Sequence, residues 1–480
     1  MASLAAASAF LVSARAGAHS FVLPYTLPVP FGMYLYGAAA TLCLTFIALA
    51  WFVGVPANAR GRLQPTTGDA KPVRLPAWAV DTLRAFAVAL LLLTIVACFF
   101  GTRDPDGNVA MTLFWVVFVL GLTYATALIG DIFVVANPWR TISQWIGSPR
   151  ERVHFSYPAR LGYWPALAFY VALIWLELFV LPKPVTLGIA LVAYTAITLT
   201  GARLFGERAW FGHAEMFSVL LRLVGLLAPI EYAIATDEKT VQLRTRAPFS
   251  AVIASRPDRL SLVVFVLFML SSTTFDGLHD TVPWMNVYWK WLLAFAKPLW
   301  HFDLIASQRT LEHWYVAFQH TALVLSPFVY FAVYVAVQYA VKAAARSTIG
   351  VRDLALAFAL TVLPIGLVYN MAHYWTVLLI QLPRLPYLLA DPLGRGWIVP
   401  FIGIPAPERP PLDMASVWNT EVTLIVVGHL IGVYLSHRIA LRVFASRRAA
   451  LASQVPMLVL MVVYTVVGLW VISQPLALER

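Results

Sequence analysis

The sequence predicts an all-α protein: a polytopic bundle of transmembrane helices with further helices in the membrane interface. Of its 480 residues, 60% are hydrophobic and only 12% are charged, and the mean hydropathy is +0.77. Soluble domains carry about 25% charged residues. Apolar runs of about 18 to 25 residues recur along the chain, and each is long enough to cross the hydrocarbon core of a bilayer as a helix. The lipid bilayer is therefore the first predicted partner.

Ten apolar segments are long enough to be predicted spans. They cover residues 31–54, 79–101, 110–136, 161–181, 185–204, 259–275, 311–341, 354–380, 417–440 and 455–473. Two more segments, 213–230 and 282–302, are apolar but also contain charged side chains or many Trp and Tyr rings. Such segments are typical of helices that lie in the membrane interface. No internal repeat or separate soluble domain is evident, so residues 19–480 are predicted to form one domain.

The distribution of basic residues predicts the orientation of the spans. Arg and Lys are concentrated in the connections 55–78 and 137–160 and in the segments after the seventh and ninth spans. The connections 102–108 and 381–416 have no basic excess. Because short cytoplasmic loops are enriched in Lys and Arg, we expect both termini to face away from the cytoplasm.

The N-terminus, the cysteines and the net charge restrict the classes of function. Residues 1–18 have the apolar stretch and small residues of a signal peptide but lack its basic start, and an uncleaved Ala-rich tail is the alternative. Cys43 and Cys98 lie in apolar runs, which predicts buried side chains rather than a disulfide. The formal net charge of +11 comes from the connections between spans, so nucleic-acid binding is not expected. No feature identifies a protein partner.

Three histidines lie at similar predicted depths in the outer half of the membrane. At 1.5 Å per residue, His320 is roughly 13 Å, His373 about 10 Å and His429 about 18 Å from the outer ends of three different spans. A protonatable side chain at that depth is costly unless it is paired or lines a polar cavity. We therefore expect the three rings to meet, with Asn370 and Tyr369 beside His373.

Acidic and further histidine side chains form a shallower layer above these rings. They are Glu177, Asp276, His279, Asp280, Glu312, His313 and Glu421. His313 and His320 are seven residues apart, about 10.5 Å along a helix, so one ion does not comfortably bind both. The layer predicts an acidic vestibule that leads to the deeper histidines from the outer side. The structural alternative is that each His is a buried hydrogen-bonding group and each carboxylate caps a helix.

Three imidazoles with an open position would hold a divalent metal. Zinc bound in this way lowers the pKa of a bound water to about 7, and copper also suits these ligands. The predicted metal ligands are His320, His373 and His429, with His313 nearby. Glu312 or Glu421 would act as the base and Asp276 would orient a ligand. A haem or copper electron-transfer subunit and a transporter or metal-handling permease are the alternatives.

Several segments resemble a family of bacterial polytopic membrane proteins. The strings are LPVPFGMYLYGAAATL, GDIFVVANPWRTI, YWPALAFYVALIWLELF, STTFDGLHDTVPW, AHYWTVLLIQ and SQVPMLVLMVVYTVVGLW, and the similarity runs from about residue 20 to 475. Some members of the family are named fenitrothion hydrolase. The resemblance implies hydrolysis of the aryl phosphorothioate ester of a lipophilic insecticide, with release of a nitrophenol. In a bacterial inner membrane, the termini that the basic residues place outside the cytoplasm would be periplasmic. The resemblance assigns no catalytic residues.

Overall fold

The computed structural model describes residues 30–52, 72–148, 155–180, 183–234, 240–300, 307–396 and 413–474. The predicted signal peptide, residues 1–18, lies outside the described residues. Helices make up nearly all of the regular structure, so the all-α prediction is confirmed.

In the described ranges, nine helices are long and apolar enough to cross a membrane. They are α1 (Phe31–Phe52), α2 (Ala77–Phe100), α3 (Val109–Ile129), α7 (Pro184–Phe205), α11 (Leu260–His279), α13 (Gln308–Ala344), α14 (Val351–His373), α16 (Met414–Val443) and α17 (Arg447–Ile472). The protein is therefore a polytopic membrane protein, as predicted.

Shorter elements connect these helices. The helices are α4 (Phe133–Ala136), α5 (Pro138–Trp145), α6 (Trp164–Phe179), α8 (Glu207–His213), α9 (Met216–Gly225), α10 (Ser250–Ala254), α12 (Val282–Trp300) and α15 (Trp375–Ala390). The strands are β1 (Val73–Leu75), β2 (Ile230–Ile234) and β3 (Val241–Thr245). They form an antiparallel sheet in the order β1-β3-β2, in which Val73 pairs with Leu243 and Tyr232 with the same Leu243.

The sheet fixes which helix ends share one side of the bundle. Because β1 pairs with β3, the start of α2 and the segment after α9 lie on the same side, and the chain between them must cross an even number of times. Three long helices, α2, α3 and α7, lie in that interval, so one short helix also crosses. The 16 residues of α6 span about 24 Å and the 10 residues of α9 about 15 Å at 1.5 Å per residue. The longer helix, α6, is therefore the short helix that crosses. This count agrees with the ten predicted spans.

Polar contacts tie the connections together at each end. At the sheet end, Arg447 Nη2 donates to the carbonyl of Ala50 at 2.6 Å, and Arg256 pairs with Asp353 at 2.7 Å. At the opposite end, which we call the far end, Thr102 N donates to the carbonyl of Leu393 at 3.0 Å. The two ends are therefore held by independent sets of contacts.

Helix α11 is the centre of the bundle. Its most apolar window is 89% buried, compared with 17% for α13, and it packs on α6, α13, α14 and α17. A helix that is apolar around its whole circumference is expected in such a central position. The polar residues near its far end, including Asp276, are consequently enclosed by protein.

The structure differs from three of the predicted segments. The third span ends at Ile129 rather than residue 136, because Gly130 adopts a positive φ of 89° that terminates the helix. The segment predicted as a span at 354–380 is interrupted at Tyr374. Helix α9, predicted to lie in the interface, is buried by protein over eight of its ten residues.

Candidate functional site

A cavity of about 280 Å³ lies between α3, α6, α7, α14 and α15, towards the far end of the bundle. Most of its wall is apolar. Glu177, Asn370, His373 and Tyr374 supply polar groups to the wall. A largely apolar pocket with a few convergent polar groups is the usual form of a small-molecule site.

One wall of the cavity is a π-helix. Within α3, residues Thr112–Leu122 have π-helical hydrogen bonding, and Trp115, Val116, Val119 and Leu120 from this stretch line the cavity. π-Helical turns are rare and occur mostly at functional sites. The π-helical backbone and the polar side chains therefore indicate the same location for the functional site.

His373 and Asp276 form a close pair beside the cavity. His373 Nε2 lies 2.8 Å from Asp276 Oδ2. The Asp276 side chain is only 2% exposed, whereas 19% of the His373 side chain is accessible. A carboxylate bound to one ring nitrogen fixes both the orientation and the tautomer of an imidazole. With Nε2 donating to Asp276, Nδ1 is the proton-accepting nitrogen of the ring.

Tyr374 links this pair to a second carboxyl group. Its hydroxyl oxygen lies 2.7 Å from Asp276 Oδ2 and 2.9 Å from Glu177 Oε1. A hydroxyl group has one proton and donates to one acceptor at a time. For both contacts to be hydrogen bonds at once, one of the two carboxyl groups must carry a proton and donate it to the tyrosine oxygen. The side chains of Glu177, Tyr374, Asp276 and His373 therefore form one connected polar network.

Breaks in helical geometry bring these side chains together. Pro364 has no N–H and clashes with the preceding turn, and the chain before it is a 3-10 turn over Ala359–Val362. At the other end of α14, Tyr374 has φ −96° and ψ 12°, which ends the helix before α15 begins. The side chains of His373 and Tyr374 can therefore both contact Asp276 although they are adjacent in sequence.

A close helix contact positions the histidine ring. A methyl group on Gly277 would lie 2.8 Å from Val471 Cγ1, 3.5 Å from His373 Cε1 and 3.6 Å from His373 Nδ1. Small residues allow membrane helices to approach in this way. The glycine that follows Asp276 thus leaves room for Val471 on α17, beside the ring that Asp276 binds.

A second hydrogen-bonded chain crosses the cavity wall one turn earlier in α14. Tyr124 OH donates to Asn370 Oδ1 at 2.8 Å, and Asn370 Nδ2 donates to Thr273 Oγ1 at 3.1 Å. The amide group of Asn370 is consequently held from both sides, by α3 and by α11.

The structure does not bring the three deep histidines together. His373 lies at the cavity, but His320 packs against the rings of Phe179 and Trp175, with ring centroids 4.4 Å and 5.9 Å away. His429 is buried, and its Nδ1 lies 2.8 Å from the carbonyl oxygen of Ile425. Helix rotation, which one sequence does not define, separates the three rings.

The other predicted site residues do not line the cavity. Asp276 lies directly behind the wall, where it contacts His373. His313 is exposed, and Glu312 accepts from Gln308 Nε2 at 3.0 Å within the same helix. Glu421 is buried on α16 and is electrostatically coupled to His373. Of the predicted catalytic residues, Asp276 is therefore the one in direct contact with a cavity residue.

No group of three or more His, Cys, Asp or Glu side chains within the described ranges is arranged to hold a metal ion. The predicted ligand cluster of His320, His373 and His429, with His313 nearby, is therefore not found there. A zinc, copper or haem cofactor stays a prediction that rests on the sequence pattern alone.

Sequence reasoning missed two residues of the site. Tyr374 follows His373 directly, and its position at a helix break next to a buried histidine was the available signal. Tyr124 had no comparable signal, because a tyrosine within an apolar span is usually a packing residue that hydrogen-bonds to a nearby group.

Comparison of the chain with family models, with curated proteins and with solved structures found no match.

Proposed function

We propose that the protein is an integral membrane hydrolase of lipophilic, uncharged esters, organophosphate triesters included, and that the cavity is its active site. The observation that carries this proposal is the contact between Asp276 and His373 beside an apolar cavity. An imidazole oriented by a buried carboxylate is the arrangement that activates hydroxyl nucleophiles in many hydrolases.

Each residue of the network has a defined role in this reaction. His373 Nδ1 accepts a proton from water, and the water oxygen forms a bond to phosphorus, or to the carbonyl carbon of a carboxylic ester. Asp276 stabilises the resulting imidazolium ion. The bond from phosphorus or carbon to the leaving oxygen breaks, and that oxygen receives the proton held on His373 Nδ1, which restores the neutral ring. Tyr374 and Glu177 hold Asp276 in place through their hydrogen bonds. Ester and water thus give acid and alcohol.

The position of the cavity suits a substrate that dissolves in lipid. The basic connections lie mostly at the sheet end, which is cytoplasmic by the positive-inside rule. The far end and both chain termini would then be periplasmic in a bacterial inner membrane. A lipophilic ester concentrates in the bilayer and reaches a site at this depth without crossing a wide polar vestibule.

Turnover of p-nitrophenyl esters by the purified protein tests the proposal. We expect release of p-nitrophenol from diethyl p-nitrophenyl phosphate or p-nitrophenyl butyrate, and a loss of at least about 100-fold in kcat for His373→Gln and Asp276→Asn. His313→Gln is the matched control, because His313 is exposed and does not line the cavity. Wild-type protein without turnover, or His373→Gln with full turnover, would overturn the proposal.

Metal content should be measured on the same preparations. The proposed reaction needs only protein groups, so we expect turnover to survive exhaustive chelation. Loss of activity on chelation, restored by zinc or copper, would instead favour the metal-dependent hydrolase that the sequence pattern predicts.

A proton-coupled permease is a second candidate, and a different feature favours it. Glu177, Tyr374, Asp276 and His373 form one hydrogen-bonded chain at membrane depth, and ionisable residues inside membranes commonly form proton relays. Proteoliposomes with an imposed pH gradient distinguish the candidates. A permease would accumulate an unmodified solute in response to the gradient, whereas a hydrolase would convert its substrate with no gradient.

A further inference from the structure

The amide group of Asn370 has one hydrogen-bond donor left for a ligand. Its oxygen accepts from Tyr124 and one of its two N–H groups is donated to Thr273. An amide nitrogen has two donors. Since Asn370 lines the cavity, the second N–H is available to a molecule bound there.

The chain of contacts makes this donor rigid. Tyr124 on α3 and Thr273 on α11 hold the amide from two helices, so the amide keeps one orientation whether or not a ligand is bound. A donor that is fixed before binding costs no reorganisation when it forms its bond. Thr123 also lines the cavity, but its hydroxyl group donates to the carbonyl of Val119 at 2.6 Å.

The donor and the proposed base act on the same molecule. Asn370 and His373 are three residues apart in α14, and side chains at this spacing share a helix face with Cβ atoms about 5–6 Å apart. A ligand oxygen that accepts a hydrogen bond from the Asn370 amide is itself bonded to a phosphorus or carbon atom. That phosphorus or carbon atom would then lie near the water activated by His373. At this spacing the Asn370 amide would act as an oxyanion-stabilising donor for that ligand.

The charges around the cavity select for an uncharged ligand. Glu177 lines the wall and Asp276 lies directly behind it, whereas Lys183 is exposed at the rim. A ligand with a formal negative charge would face the ionised one of these two carboxyl groups in surroundings of low dielectric constant, where like charges repel strongly. A neutral acceptor oxygen has no such penalty.

We propose that Asn370 is the residue that recognises a neutral acceptor oxygen, P=O or C=O, in the ligand of this cavity. This inference rests on the proposed function for its reactive pose but not for its binding step. It also predicts a preference within the organophosphates. A phosphoryl oxygen accepts a hydrogen bond well and a thiophosphoryl sulfur accepts one poorly, so P=O compounds should bind more tightly than their P=S counterparts.

Binding of triethylphosphine oxide tests the recognition step without any chemistry. The ³¹P resonance of this probe moves downfield when its oxygen accepts a hydrogen bond. We expect a downfield bound resonance with wild-type protein, and at least about tenfold weaker binding with loss of the shift in Asn370→Leu, which keeps the side-chain size but has no donor. Tyr124→Phe should give a smaller loss, because it frees the amide to rotate.

Asn419→Leu is the matched control, since Asn419 is an exposed asparagine on α16 outside the cavity. It should bind the probe as wild-type protein does, and triethylphosphine sulfide should bind wild-type protein no better than it binds Asn370→Leu. Wild-type protein without a shifted bound resonance, or Asn370→Leu with an unchanged one, would overturn the inference. A shift that depends on Asn370 in a protein that hydrolyses no ester would leave the recognition role intact and remove the proposed hydrolase.

Discussion

The placement of His373 depends on two residues that are adjacent in the sequence. Asp276 binds the ring nitrogen, and Gly277 allows Val471 of α17 to pack beside the ring. Both belong to the segment TFDGLHD, whose Asp276 was recognised from the sequence as part of a polar layer. The pairing of Asp276 with His373, 97 residues later, was not recognised from the sequence. Neither segment specifies how its helix is rotated about its own axis.

Asp131 provides a second single-residue test, outside the spans. Burial raises the pKa of its carboxyl group to about 6, although Val134 N–H and the charge of Arg222 oppose the shift. Arg222 is the cation close enough to act on this group because Gly225, on the same helix, packs against Asp131.

The raised pKa predicts how stability depends on pH. Between about pH 4 and 6 the folded protein keeps a proton on Asp131 that the unfolded chain releases, so the stability contributed by Asp131 falls as pH rises through this range. Asp131→Asn has no proton to lose and keeps an oxygen for Val134 N–H. We therefore expect its apparent Tm in detergent to exceed that of wild-type protein at pH 7.5, with a smaller difference at pH 5.

Asp81→Asn is the control for this measurement, because the side chain of Asp81 is 74% exposed. Its difference from wild-type protein should not change with pH. An Asp131→Asn variant that is less stable than wild-type protein at pH 7.5 would show that the charge of Asp131 stabilises the fold.

At the scale of elements, the contact between α14 and α16 holds the wall that carries Asn370 and His373. A methyl group on Gly428 would lie 2.1 Å from Val368 Cγ2 and 3.0 Å from the carbonyl oxygen of Pro364. The two helices can approach this closely only because residue 428 has no side chain.

Gly428→Ala should therefore destabilise the protein. Overpacking a tight contact costs about 1–3 kcal/mol, and we expect a fall of several degrees in the apparent Tm, measured by thermal unfolding in detergent. Gly37→Ala in α1 is the matched control, since no atom lies within 4 Å of the position of its added methyl group. Equal Tm values for the two variants would contradict the close contact.

The motif GDIFVVANPWR shows how a short element is fixed. Asn137 Oδ1 accepts from Arg140 N at the start of α5, and its Nδ2 donates to Ser218 Oγ at 3.0 Å. Glu215 caps α9 by accepting from Ser218 N at 2.7 Å and also accepts from Tyr194 OH. Asn137 and Pro138 are therefore structural residues that start helix α5.

For the whole molecule, the sheet predicts which loops share a side of the membrane. β1 and β3 lie on the same side, because the chain crosses an even number of times between them. Residue 104 follows β1 by one crossing, α2, whereas residue 347 follows β3 by two crossings, α11 and α13. The two residues therefore lie on opposite sides. The excess of basic residues predicts that residue 347 is cytoplasmic.

Single-cysteine labelling tests this topology. In a background with Cys43 and Cys98 replaced by Ala, Asp104→Cys should react with a membrane-impermeant maleimide in intact spheroplasts. Ser347→Cys should react only after lysis. Labelling of both positions in intact spheroplasts would contradict the arrangement, and the reverse pattern would invert the orientation.

The sequence alone determined the membrane class, the all-α fold and the approximate spans, because the cost of burying polar groups in lipid leaves a strong linear signal. It also placed His373 at membrane depth and Asp276 in a polar layer above it, since apolar side chains surround both residues in the chain. Only the tertiary structure decided which polar residues meet. Rotating a helix about its axis changes the partners of every side chain without changing the hydropathy pattern, so the packing of α3, α6, α11 and α14 was needed to replace a cluster of three histidines with the network of Glu177, Tyr374, Asp276 and His373.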